Sequence, residues 1–304
     1  MLYNESMHEV NPRLKSVTGG IVFSACTVAN ILVSLIFVMI TQAARIDELS
    51  DAYKYLSYLA APIAVSLGCY AAMKHGKQDL RDVVKVKCNP VYYVIAILMI
   101  FGLIFSVAEV NTVTLEFLKL LGYTPREESS YLPTLEGGLI VPALLAIAVI
   151  PALVEEFFFR GVLLQNARAG MGDIRTIFTV GFCFSIFHAS PEQTVYQFIC
   201  GCAFALLAIR SGSLIPSVLI HFLNNAFIII LYACGYNEIA FSQTADLVLT
   251  IVGAIAFISS ILWLILIKKP FISGQKNSVS AFYIFAAVGI FINALIWILS
   301  FFSV

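Results

Sequence analysis

Residues 138–160 read GLIVPALLAIAVIPALVEEFFFR. Up to Val154 the stretch is apolar, and it is long enough to cross the ~30 Å hydrocarbon core of a bilayer as a helix. It then places two carboxylates and a guanidinium, Glu155, Glu156 and Arg160, at the end of that run. Ionisable groups at such depth cost about 2.5–3.5 kcal/mol each on insertion scales, so they imply a use. The rest of the chain resembles this stretch in its apolar character. Of 304 residues, 60% are hydrophobic and 12% charged, against roughly 25% charged in a soluble domain. Mean hydropathy is +0.93. The fold class that follows is an all-α, polytopic transmembrane bundle of about eight to nine spans. A lone strand in lipid would leave its backbone groups unpaired, and the alternation of a membrane barrel is absent.

Nine candidate spans cover about 17–42, 52–74, 91–110, 138–160, 174–190, 193–210, 213–235, 244–267 and 280–303. The fifth and sixth are short, and a partly re-entrant course is open for them. The first is too long for a signal-peptide core of ~7–15 residues and reads as a retained anchor. Pro142 and Pro151 fall within the fourth span and predict a kink or a late start. With the N-terminus inside and nine crossings, only Arg45, Lys54, Lys119 and Arg126 of the 18 basic residues fall outside. This bias follows the positive-inside rule. It predicts a multi-pass protein of the cell membrane with a cytoplasmic N-terminus, an external C-terminus and an acidic outer loop over 109–136. Three regions are expected: N-terminal helices and an outer loop (1–137), a catalytic membrane core (138–235) and C-terminal helices (236–304). Zero net charge gives no reason to expect nucleic acid as a partner. The seven cysteines lie mostly in apolar runs without a C-x-x-C pair and read as small packing residues. Gly201 and Ala205 form a small-xxx-small pair, suited to close helix approach or simply ordinary membrane-helix composition.

On a helix, Glu156 and Arg160 are four apart, share a face and stand in the favourable acid-first order. Glu155 points about 100° away from Glu156. The arginine therefore neutralises Glu156 and leaves Glu155 free. Phe184 and His188 share a face by the same spacing, as do His221 and Asn225. A carboxylate and an imidazole converging on one water can take its proton and aim it at a carbonyl. The donors of His221 and Asn225 can hold the resulting oxyanion. Ser185 and Cys183 sit in no nucleophile motif. A metal-dependent variant uses Glu155, His188 and His221 as the two-imidazole, one-carboxylate ligand set of some zinc sites, although no H-E-x-x-H is present. The metal-free form is favoured. A proton relay or transporter is the reading from a different class, but no inverted repeat supports it.

Three ordered motifs, Glu155-Glu156-Phe-Phe-Phe-Arg160-Gly161, Phe184-Ser-Ile-Phe-His188 and His221-Phe-Leu-Asn-Asn225, resemble those of the CAAX prenyl protease type II and bacteriocin-processing (CPBP, or Abi) family. The lead-in from Arg210 to His221 is similar as well, and the likeness covers about 140–228. The resemblance implies an intramembrane endopeptidase. Glu155 and His188 would activate water, His221 and Asn225 would stabilise the oxyanion, and Glu156, Arg160 and Phe184 would brace the site. It implies a peptide or protein substrate in the bilayer, with either a metal-free glutamate mechanism or a zinc-dependent one. It leaves open whether that substrate is prenylated. It also leaves open a non-catalytic role in bacteriocin self-immunity.

Overall fold

The computed structural model describes residues 13–125, 132–235, 242–267, 270–274 and 276–302. His8, Arg126, Lys268 and Lys269, and part of the predicted outer loop, lie outside the described residues. Among the described residues there are nine principal helices and no strands beyond one isolated bridge between Gly172 and Ser273. They are α1 (Ser16–Ala43), α2 (Asp51–His75), α3 (Val91–Leu120), α4 (Gly137–Met171), α5 (Asp173–His188), α6 (Thr194–Ser211), α7 (Ile215–Ala233), α8 (Gln243–Leu266) and α9 (Lys276–Phe302). All but α5 are long and apolar enough to cross a membrane. The chain is thus an all-α, multi-pass membrane bundle, as its composition predicts. Large apolar side chains such as Leu35 and Met39 of α1 and Ile255 and Ile258 of α8 are exposed on its outer surface. On a soluble protein such a surface would be an aggregation hazard; in a bilayer it faces lipid.

Contacts between turns sort the helix ends into two groups. At one end Arg13 pairs with Asp79, the Lys15 amide and Gln78 both donate to Asn166, and the Leu214 amide donates to the Lys85 carbonyl. The α4–α5 corner joins this end. There Arg168 pairs with Asp173, while the Asp173 and Ile272 main and side chains exchange hydrogen bonds. Gly172 forms the corner with φ +74°, and a Cβ there would lie 2.4 Å from the Gly274 amide nitrogen. At the other end Lys54 donates to the Leu132 carbonyl and Trp297 to Thr194. Every principal helix, α5 included, runs between the two ends. Helix α5, at 16 residues, is two residues under the shortest of the other eight.

The fourth span is the least regular. It opens on a 3-10 turn at Gly137–Leu139 and carries two π-helical segments, Leu144–Val149 and Phe157–Leu163. The first lies between Pro142 and Pro151. Pro151 has no N–H, so the carbonyl four residues earlier, that of Ile147, cannot receive the usual helical bond from it. The second π segment starts directly after Glu156, and such segments are frequent at functional sites.

Helix α4 packs against α1, α2 and α7, and the α5–α6 hairpin closes the remaining side. Gly201 of α6 faces Gly181 of α5: a Cβ on Gly201 would meet the Gly181 Cα at 2.8 Å and the Phe184 Cβ at 3.1 Å. Neither backbone can yield without moving its helix. Gly201→Leu is therefore expected to destabilise the bundle by about 1–3 kcal/mol through overpacking. Thermal unfolding in detergent would show it as a lowered midpoint.

Candidate active site

Glu155 lies about 24 Å along α4 from its Met171 end, and His188 about 22 Å along α5 from the adjoining Asp173 end, at ~1.5 Å per residue. The two residues therefore lie at a similar depth in the bundle. Helix α4 extends to Met171, and α5 stops at His188. Ala189, in the left-handed conformation at φ 49°, ends α5 there.

The two carboxylates divide as their helix faces require. The Glu156 side chain has no exposed surface; its Oε1 accepts from Arg160 Nη1 at 2.7 Å. The guanidinium is equally buried. Its Nη2 donates to the Gly201 carbonyl at 3.4 Å, and its Cζ sits 4.4 Å from the ring centre of Phe184 and 5.1 Å from that of Phe204. Planar, weakly hydrated arginine suits such a slot better than lysine does. Glu155 instead keeps 23% of its side chain open to a cavity of about 710 Å³, whose wall also includes His188, His221 and Asn225. Its Oε2 is buried and makes no hydrogen bond with another described residue.

Both imidazoles turn Nε2 toward that oxygen, His188 at 3.8 Å and His221 at 4.0 Å. These gaps are too wide for direct hydrogen bonds and suit a bridging water. Their Nδ1 atoms are already engaged. His188 Nδ1 lies 2.7 Å from the Phe184 carbonyl, which can only accept, so Nδ1 carries the proton and Nε2 is the basic atom of the neutral ring. The Phe184 ring packs 4.6 Å from His188 and limits its rotation. His221 Nδ1 donates to Glu156 Oε1 at 2.9 Å, the same atom that Arg160 holds. This contact crosses from α7 to α4 and has no counterpart in the sequence reading, where His221 is simply a donor. Once Nδ1 is committed, Nε2 of His221 donates only in the imidazolium form.

Asn225 Nδ2 donates to the Ile147 carbonyl at 3.3 Å, a group to which Pro151, four residues on, offers no N–H. Two further side chains in the cavity wall escaped the sequence reading. Tyr196 of α6 donates its hydroxyl to Asn224 Oδ1 at 2.9 Å, and Asn224 Nδ2 donates to Asn225 Oδ1 at 3.4 Å. A tyrosine and a second asparagine in apolar helices carry no motif. The one signal that reaches them is Asn224's place beside Asn225.

Glu155, His188 and His221 have the donor atoms of a zinc site, with both Nε2 lone pairs available. Yet 3.8 and 4.0 Å exceed the edge of about 3.3 Å between ligands of a tetrahedral zinc bound at ~2.0–2.1 Å. Among the described residues no group of three or more His, Cys, Asp or Glu side chains is placed to hold a metal ion. The set as arranged does not fit zinc.

Comparison with known families adds one finding. Residues 137–227 match the family model described as type II CAAX prenyl endopeptidase Rce1-like. The match spans all three motifs, agrees with the resemblance read from them and supports a protease assignment. No curated protein and no solved structure matches the chain.

Proposed function

We propose that this chain, whose residues 137–227 match the Rce1-like endopeptidase family, hydrolyses peptide bonds of a membrane-associated peptide or protein with a water activated by Glu155 and His188. The observation that carries the reading is Glu155 Oε2: a buried oxygen without a hydrogen-bond partner among the described residues, facing two imidazole nitrogens in the wall of a cavity. A buried polar atom left so is costly unless something occupies the gap. A water there donates one O–H to Glu155 and the other to His188 Nε2. As its oxygen bonds to the scissile carbonyl carbon, its proton passes to Glu155 and the carbonyl oxygen becomes an oxyanion. Asn225 and protonated His221 donate to that oxyanion. The proton held by Glu155 then goes to the departing amine as the C–N bond breaks. Glu156 and Arg160 act indirectly, through His221.

The charge bias of the loops supports a cytoplasmic N-terminus; with α5 counted as a ninth crossing, this reading has the C-terminus on the other face of the cell membrane. Residues 138–235 form the catalytic core of this reading, between the helices of 1–137 and 236–304.

The test compares the peptides released from membranes that hold the wild-type protein with those from membranes that hold Glu155→Ala at equal abundance. A set of cleavage products unique to the wild type is expected, and their C-terminal chemistry shows whether the substrate is prenylated. Identical product sets would sink the peptidase reading and favour a non-catalytic role such as self-immunity. Elemental analysis of the purified protein tests the zinc-dependent variant directly.

A further inference from the structure

Asn225 is useful to an oxyanion only if its amide nitrogen, not its oxygen, faces the reacting carbonyl. The two ends of an amide are nearly the same size, so packing alone does not choose between them; the hydrogen-bond network does. Here a chain of three contacts makes the choice. The Tyr196 hydroxyl gives its proton to Asn224 Oδ1 at 2.9 Å. With its oxygen so fixed, Asn224 turns Nδ2 toward Asn225 and donates to Oδ1 at 3.4 Å. Asn225 Oδ1 is thereby held on Asn224, and its Nδ2 reaches the Ile147 carbonyl at 3.3 Å, leaving its second N–H for the cavity it lines. At the far end the Ile147 carbonyl can only accept, so it selects the amide nitrogen of Asn225. The near anchor is a phenol that is 7% exposed, with the Cys200 thiol one turn along beside it.

We propose that Tyr196 and Asn224 are positioning residues of the hydrolytic site: their hydrogen-bond chain sets the orientation of the Asn225 amide toward the oxyanion. The assignment rests on the peptidase reading above and extends it to two residues outside the motifs. Neither residue touches the reacting atoms. Their effect is confined to the transition state, since the neutral carbonyl of bound substrate gains far less from an oriented N–H than the oxyanion does. Without Tyr196, Asn224 is free to rotate; Asn225 then loses its donor and, held by the Ile147 carbonyl alone, no longer keeps its second N–H aimed at the oxyanion.

Tyr196→Phe and Asn224→Leu would be compared with wild type on a peptide found in the membrane comparison. A phosphonamidate analogue, with tetrahedral phosphorus in place of the scissile carbonyl, would be the second probe. Both variants are expected to lower kcat on the order of tenfold, with KM within about twofold, because a mispositioned donor removes part of the stabilisation that a whole one supplies. The analogue should bind more weakly by the same factor. The peptide itself, measured in a Glu155→Gln background, should bind both variants and the parent alike. An unchanged kcat, or equal weakening of peptide and analogue, would overturn the assignment and leave the chain a packing feature. Should Tyr196→Phe not accumulate, Asn224→Leu decides alone. If Glu155→Gln still turned over, the peptidase reading itself would fall. If Glu155→Gln were inactive while both variants kept the wild-type rate, only the positioning role would fall.

Discussion

Glu155→Gln is expected to slow cleavage by about 10²–10⁴-fold, the range that a general base contributes. Glutamine keeps the size and shape of the side chain but takes no proton from water. The loss should appear in kcat/KM without loss of protein. Glu155 faces the cavity, and its Oε2 makes no hydrogen bond whose removal would unsettle the fold. The variant should melt at or above the wild-type temperature, as often holds when a strained catalytic group is relieved. His188→Gln should lose a similar factor. The double variant should be hardly slower than either single one, because both groups act on one water and such units are far from additive. Single-turnover rates of the three variants would check this. Losses that multiply would mean that the two residues serve separate steps.

Arg160→Met carries the largest expected effect on stability. The variant leaves the fully buried Glu156 carboxylate with His221 as its remaining side-chain partner. Removing one member of a buried ion pair costs about 3–5 kcal/mol, because the other charge stays behind without compensation. That is a large share of the ~5–15 kcal/mol that holds a folded domain together. Arg160→Lys should recover little, since the slot between the Phe184 and Phe204 rings suits a plane. Glu156→Gln together with Arg160→Met removes both charges and should restore part of the lost stability while activity stays low. Thermal unfolding in detergent, read for the three variants beside wild type, tests the order. If Arg160→Met melted with wild type, the buried pair would not be what holds this corner.

Much of the geometry of the candidate site was legible because its relations are local in sequence. Spacings of one and four on a helix separate Glu155 from Glu156, join Glu156 to Arg160 and place Phe184 beside His188. What was not legible depends on how separate helices meet. The bond from His221 to Glu156 joins residues 65 apart and depends on where α7 crosses α4. The Asn225 contact with Ile147 joins residues 78 apart and depends on where α7 meets α4. The apolar runs located the spans but not the π segments of α4, which have no composition of their own. The spacing of Gly201 and Ala205 points to a close helix approach but not to its partner, which for Gly201 is Gly181 on the neighbouring helix.

The cluster of Glu155, Glu156, Arg160 and the two imidazoles also sets a rule for charge conservation. With both histidines neutral, the two carboxylates and one guanidinium sum to a single negative charge; a proton on His221 brings the sum to zero. In the proposed step the water's proton neutralises Glu155 at the moment when the substrate oxygen becomes negative. One negative charge is thus exchanged between two atoms, and the total inside the bundle does not change. A region that would resist the arrival of a new ion by several kcal/mol is asked only to relocate one it already holds. The reaction therefore needs no counter-ion from solution, and its rate should respond little to ionic strength.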